Sequence, residues 1–103
     1  MTRLNMNQRS KCIMAFILML FINHGLVLAQ EDVYQSARTY IDAEKYEKAI
    51  EAYTICLRKN YKTDKSYFNR AIAYHELGKD GKATRDLKKL VSLFPGYYDA
   101  YNM

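Results

Sequence analysis

The order of apolar and polar side chains after Gln30 follows a helical period. Between residues 31 and 93, apolar side chains recur at spacings of three and four, and no alternating strand pattern competes with them. Glycines interrupt this pattern, and the pair Pro95-Gly96 ends it. The pattern predicts an all-α fold with four helices, over residues 31–43, 46–60, 64–77 and 81–93.

The segment before Gln30 has a different pattern. Basic residues precede an uninterrupted apolar run of ten residues, Ile13 to Ile22, and small or β-branched residues stand one and three positions before a cut after Ala29. This order predicts a secretory signal peptide over residues 1–29 and export to the periplasm or the outside of the cell. The alternative is an uncleaved membrane anchor over residues 12–29, which is marginal against the ~20 residues of a spanning helix.

Charge and size then limit the classes of function. The chain has 103 residues, enough for one small domain, and a net charge of +5. Three of the sixteen basic residues but none of the eleven acidic ones precede Gln30, so the chain after the leader carries only +2. A charge of this size gives little support for nucleic-acid binding, and we expect no nucleic-acid partner. A membrane partner is expected only if the leader is uncleaved.

Candidate catalytic and metal-binding residues are sparse. After the leader the chain has one cysteine, Cys56, and one histidine, His75. A single thiol forms no intrachain disulfide, and its place on an amphipathic helix indicates a packing role. The pair His75-Glu76 lacks the second histidine of a zinc-binding helix, and no glycine-rich phosphate loop or nucleophile motif is present. We therefore expect no enzymatic activity, no cofactor and no metal.

The chain after the leader also repeats itself. When the sequence is shifted against itself by 34 residues, five pairs of identical residues align. The pairs are Ala37 and Ala71, Tyr40 and Tyr74, Lys45 and Lys79, Lys48 and Lys82, and Ala49 and Ala83. Two of them are alanines, which let helices approach closely, so the repeated element is a pair of packed helices.

With this period and these small and aromatic positions, the chain resembles the tetratricopeptide repeat family, whose unit of about 34 residues is a helix, a turn and a second helix. The resemblance implies a short right-handed α-solenoid with one unit over 30–63, a second over 64–97 and the start of a truncated third over 98–103. It also implies which residues pack the repeats: Ala37, Tyr40, Ala49, Tyr53, Ala71, Tyr74 and Ala83. The sequence departs from the family at Glu44, where a turn glycine is usual, and at Asp80, where an aromatic residue is usual.

Family members bind partners on a concave surface formed mainly by the first helix of each unit. The resemblance places nine residues of this chain there: Tyr34, Arg38, Ile41, Asp42, Lys65, Phe68, Asn69, Ile72 and His75. Tyr and Arg often carry binding energy at interfaces, so the implied function is a non-enzymatic scaffold that binds a peptide or protein in this groove. The plainer alternative is that these residues are solvated surface on a short scaffold.

Two other functions follow from the same resemblance. Family members that bind the C-terminal carboxylate of chaperones place Lys and Asn where this chain has Tyr34 and Arg38, so we do not expect that ligand although Asn69 fits. The second function is structural. Two units leave apolar residues such as Leu87 and Leu90 for a neighbour to cover, which would make the chain a fragment that completes its core by self-association or within a larger complex.

Overall fold

A computed structural model describes residues 6–97, and within that range the chain is helical with short turns. Four helices follow one another: α1 at Met6–Asp42, α2 at Tyr46–Arg58, α3 at Thr63–Glu76 and α4 at Asp80–Leu93. The predicted all-α fold is confirmed, and the ends of α2, α3 and α4 agree with the predicted ends to within two residues. The expected start of a third unit, 98–103, lies outside the described residues.

Helix α1 is longer than the pattern predicted. The leader and the first predicted helix form one uninterrupted helix, which passes through Asn23, His24 and Gly25. The Nδ1 of His24 donates a hydrogen bond to the Leu20 carbonyl at 3.2 Å, within the same helix. The flanking segments are rich in Leu, Met and Ala, so a single glycine, which costs about 1 kcal/mol, does not break the helix.

The apolar part of α1 extends away from the other helices. Its side chains are exposed from residue 13 to residue 28, whereas packing against the other helices involves Val33 and later residues. This stretch is long and apolar enough to cross a membrane, and a signal sequence near an N-terminus has the same length and composition. Both a cleaved leader and a retained anchor have these properties.

The turn that joins the two helices of the first unit recurs at the same place in the second unit. Glu44 and Gly78 both have a left-handed backbone, with φ of 57° and 74°. In both turns the backbone N–H of the following lysine donates to a tyrosine carbonyl five residues earlier, at 2.8 Å. Turns of this kind favour glycine, because a side chain on a left-handed residue costs roughly 1–2 kcal/mol. The backbone of Glu44 is therefore strained, whereas Gly78 adopts the same conformation in the second unit without this strain.

The core forms where α1, α2 and α3 meet. Ala37 and Ala49 are fully buried, which lets α1 and α2 approach closely, and Tyr53 fills the space beside them. Helix α3 packs on α2 and contributes Ala73 to the same cluster. Among the residues expected to pack the repeats, the structure buries Ala37, Ala49, Tyr53, Ala71 and Ala83 and half-buries Tyr40 and Tyr74.

The two cysteines lie in opposite environments. Cys56 of α2 is buried in the core, and Cys12 is exposed on the apolar part of α1. Burial raises the pKa of the Cys56 thiol above its ordinary value. A raised pKa keeps the thiol protonated, so Cys56 is suited to packing and poorly suited to nucleophilic chemistry.

A buried ion pair joins α3 to α4 within the second unit. Arg70 donates through Nε and Nη2 to the two carboxylate oxygens of Asp86, at 2.7 Å each, and through Nη1 to the Thr54 hydroxyl of α2 at 3.0 Å. Its guanidinium carbon also lies 5.7 Å from the ring centroids of both Tyr67 and Tyr74. Because Arg70 hydrogen-bonds to both α2 and α4, it fixes the second unit against the first.

The repeated turn generates a stability prediction. Replacing Glu44 by Gly should raise the free energy of unfolding by about 0.5–1 kcal/mol, since the relief of left-handed strain exceeds the added chain entropy. Chemical denaturation measures the change. The matched variant is Gly78→Ala, whose added methyl meets open space, so its destabilisation of about 1 kcal/mol would come from the backbone alone. Equal stabilities for all three proteins would show that the turns carry no strain.

The ion pair generates a second prediction. Asp86→Ala should lower the free energy of unfolding by roughly 3 kcal/mol, because it leaves the Arg70 guanidinium, whose side chain is only 17% exposed, without its carboxylate. Denaturation midpoints measure this change. Glu51→Ala removes an exposed carboxylate from α2 and should change stability by less than about 0.5 kcal/mol. Similar small effects from both variants would contradict the role assigned to the buried pair.

Candidate protein-binding surface

The nine residues expected to line a groove come from the second half of α1 and from α3, the first helices of the two units. Those with exposed side chains are Arg38, Asp42, Lys65, Ile72 and His75. Three more, Ile41, Phe68 and Asn69, are half-buried. Eight of the nine are thus at least partly accessible, and together they offer positive, negative, polar and apolar surface.

Tyr34 is the exception, and the structure corrects its expected role. Its side chain is buried in the core, with only 5% of its surface exposed. The ring meets that of Tyr53 edge-on at 5.9 Å, and the Lys62 ammonium lies 4.5 Å from its centroid. The turn before α3 closes over this ring, so Tyr34 stabilises the first unit and is not available to a partner.

A polar cluster at the start of the first unit was not anticipated from the sequence. The Tyr61 hydroxyl donates to Glu31 Oε2, and the Lys62 ammonium lies 3.0 Å from the same oxygen. Gln35 donates to Glu31 Oε1 at 2.7 Å. The contact joins residues that are far apart in the sequence and depends on the left-handed backbone of Lys62, with φ of 44°, so no local sequence pattern indicates it.

This cluster changes the acidity of Glu31. The hydrogen bond from Tyr61, followed by those from Gln35 and Lys62, lowers the pKa of Glu31 from 4.5 to about 2. The hydrogen bond between Tyr61 and Glu31 also raises the pKa of Tyr61. The hydrogen bond from Lys62 to Glu31 raises the pKa of Lys62. The carboxylate therefore stays ionised at neutral pH and connects α1 to the turn between α2 and α3.

A crevice of about 450 Å³ lies between α3 and α4. Three expected groove residues, Phe68, Ile72 and His75, line it from α3, and Ala83 and Leu87 line it from α4. Leu90, expected on an exposed apolar face, is instead buried, since only 2% of its surface is accessible. Accessible apolar surface in this region therefore centres on Ile72 and Leu87, both of which are exposed.

One end of the crevice carries ionisable groups. His75, Glu76 and Asp80 line that end, and the Nδ1 of His75 lies 2.7 Å from Asp80 Oδ1. Within the described part of the chain, no group of three or more His, Cys, Asp or Glu residues is arranged to hold a metal ion. The end of the crevice is thus a polar rim beside an apolar floor.

The repeated helix pairs, the buried alanines and the shared turns define a helical-repeat protein of the α-solenoid class. Comparison with known families gives the assignment directly: residues 33–58 and 64–97 match the tetratricopeptide repeat. The chain belongs to the tetratricopeptide repeat family, with two units in the matched residues. The implied family and fold are therefore confirmed.

Two curated proteins are similar to the chain. Hsp70-Hsp90 organizing protein 2 of Arabidopsis thaliana is 28% identical over 68 residues, which cover 66% of this chain and 12% of that protein. The tetratricopeptide repeat and J domain-containing co-chaperone DNJ1 of Fusarium oxysporum f. sp. lycopersici is 30% identical over 74 residues, which cover 72% of this chain and 14% of that protein. No solved structure gives a significant match.

The chain spans about one eighth of the length of these relatives, so their activities belong to much larger proteins. What the chain shares with them is the repeat itself. A family of interaction modules, together with relatives described as an organizing protein and a co-chaperone, points to a protein-binding and non-catalytic module.

The Glu31 cluster gives a pH-dependent prediction. A carboxyl whose pKa is lowered in the folded state adds stability above its unfolded pKa, near 4.5, and loses that contribution as the pH falls towards 2. Glu31→Gln should therefore melt at a lower temperature than the natural chain at pH 7, and the difference should shrink between pH 4.5 and 2.

Melting curves followed by circular dichroism across this pH range measure the effect. Glu51→Gln makes the same charge change at an exposed position of α2 and serves as the matched control. A difference between Glu31→Gln and the natural chain that stays constant from pH 7 to pH 2 would show that the carboxylate does not stabilise the fold through its charge.

Proposed function

We propose that this chain is an exported, non-enzymatic module that binds a protein or peptide through the first helices of its two repeats. The observation that carries the proposal is the surface of α1 and α3, where Arg38, Lys65 and Ile72 are exposed and Phe68 is half-buried. Arginine and aromatic side chains are the types that contribute most at protein interfaces. A mixed surface of this kind suits an extended or helical peptide.

The residues argue against the chaperone-carboxylate ligand for this chain. That class of ligand requires a lysine where Tyr34 stands, and the ring of Tyr34 is buried in the core. Arg38 occupies the position of the required asparagine. We therefore propose that this chain binds a protein, as its relatives do, but not the same ligand.

Export rests on the leader. Residues 12–29 form an apolar helical stretch of 18 residues, about 27 Å long, with basic residues before it. This order suits a signal peptide cleaved after Ala29, and its length also suits a retained anchor. In either case the repeat units lie on the far side of the membrane from the site of synthesis.

The competing function is a structural piece that completes its core by self-association. The crevice between α3 and α4 favours it, because Leu87 is exposed there at 40% of its surface. Light scattering after size exclusion separates the two functions. A binding module is a folded monomer, whereas a self-associating piece is a dimer or larger.

The proposed function is tested by photo-crosslinking from single positions in the native host. A crosslinking side chain placed at Arg38 or Lys65 should capture the same discrete partner, because both positions are exposed on first helices. The control positions are Glu51 and Arg58, exposed on the second helix of the first unit, and these should capture none or tenfold less. Crosslinks of equal yield at all four positions would contradict a defined surface, and a chain confined to the cytosolic fraction would contradict export.

A further inference from the structure

The predicted cut after Ala29 makes Gln30 the first residue of the chain that remains, which we call the mature chain. In the precursor the backbone nitrogen of Gln30 belongs to an unreactive peptide bond. After the cut this nitrogen becomes a free α-amine, and it can reach Cδ of its own side-chain amide to close a five-membered ring. The cut therefore brings a nucleophile and an acyl carbon together within one residue.

The structure leaves the side chain of Gln30 free to react. Gln30 lies within α1 and is half-buried. Among residues 6–97, no group forms a hydrogen bond with its side-chain amide. Gln35 of the same helix differs, since its amide donates to Glu31 Oε1 at 2.7 Å. No hydrogen bond of the Gln30 amide therefore has to break before the ring closes.

The residue after Gln30 is important for the fold. Glu31 accepts hydrogen bonds from Tyr61 and Gln35. The Lys62 ammonium lies 3.0 Å from Glu31 Oε2. An aminopeptidase that removed the first two residues of the mature chain would remove Glu31, and these contacts between α1 and the turn before α3 would be lost. Blocking the α-amine protects the contacts, because such enzymes require a free α-amine.

A charged α-amine is also unfavourable at this position. Without the leader, Gln30 begins the shortened α1, and the aligned backbone dipoles make the start of a helix positive. A protonated α-amine would add a positive charge there, whereas a ring amide is neutral. Loss of the amine therefore favours the helix that contains Glu31.

From these observations we propose that Gln30 of the mature chain is converted to pyroglutamate. This rests on the proposed export, and specifically on the cut after Ala29. The lone pair of the α-amine nitrogen attacks Cδ of the same residue and forms a new N–Cδ bond. The Cδ–Nε2 bond breaks, and Nε2 leaves with that electron pair as ammonia, taking the proton that the α-amine gives up. The reaction needs no oxidant, reductant or second substrate.

Mass spectrometry of the chain purified from its native host tests the modification. Trypsin cleaves after Arg38 and releases residues 30–38 as the first peptide of the mature chain. This peptide should be lighter than its sequence by the mass of one ammonia. A synthetic peptide of the same sequence with a free α-amine is taken through the same steps, and it should remain largely uncyclised.

Gln30→Asn is the matched variant. Asparagine keeps the side-chain amide but is one methylene group shorter, so the corresponding lactam is too small to form. The mature variant should keep its α-amine, and an aminopeptidase should trim it past Glu31 and lower its melting temperature in circular dichroism. The natural chain should resist the same enzyme until a pyroglutamyl peptidase has removed the cyclised residue.

Several results would overturn the inference. A mature chain that begins at Gln30 with a free α-amine, or a synthetic peptide that cyclises to the same extent, would show that the residue is not modified in the cell, and the proposed export would stand. A retained leader or a different first residue would overturn this inference together with the cut after Ala29. Equal trimming of the natural chain and Gln30→Asn would show that no lactam protects Glu31.

Discussion

The close approach of α1 and α2 at Ala37 and Ala49 is the contact on which the rest of the structure depends. With no side chain beyond a methyl group at either position, the two helices pack backbone against backbone. Tyr53 then closes the space beside them, and α3 packs over the result. Each helix packs mainly on its neighbours in the sequence, as in other repeat proteins.

A chain held together in this sequential way has few long-range connections, and Arg70 is one of them. Its hydrogen bonds join α3 to both α2 and α4. The corresponding positions of the first unit are Ser36 and Ala52, which form no such pair. The first unit relies on close apolar packing, whereas the second unit, whose apolar face is partly open, adds a buried ion pair. Since the two cysteines are both free, no disulfide adds to the stability of either unit.

The helical period and the internal repeat were sufficient to predict the fold, because both depend on local spacing that the sequence displays directly. The ends of α2, α3 and α4 followed from glycines and turns. The unbroken α1 did not, since the leader and the first helix were predicted as separate segments and the strong helix formers around Gly25 keep them continuous.

The binding surface was harder to predict for a physical reason. Position in the repeat predicts which way a side chain points, and Arg38 and Lys65, predicted on the binding surface, are exposed. It does not predict which neighbours close over that side chain. Tyr34 is buried because the turn at Lys62 folds back onto it, and the Glu31 cluster exists because of the same turn. Both depend on contacts between the start of the first unit and its end, which a repeat pattern does not contain.

The continuity of α1 has a geometric consequence for the whole molecule. Since one helix contains both the apolar stretch and the first packed helix, the two share a single rotational phase, with about 100° of turn and 1.5 Å of rise per residue. Inserting or deleting one residue near Ala29 would leave every contact of the repeats intact and yet turn them by about 100° around the axis of the apolar stretch. In a chain that keeps this stretch, the direction in which Arg38 and Lys65 face is thus set by the number of residues between the apolar stretch and the repeats.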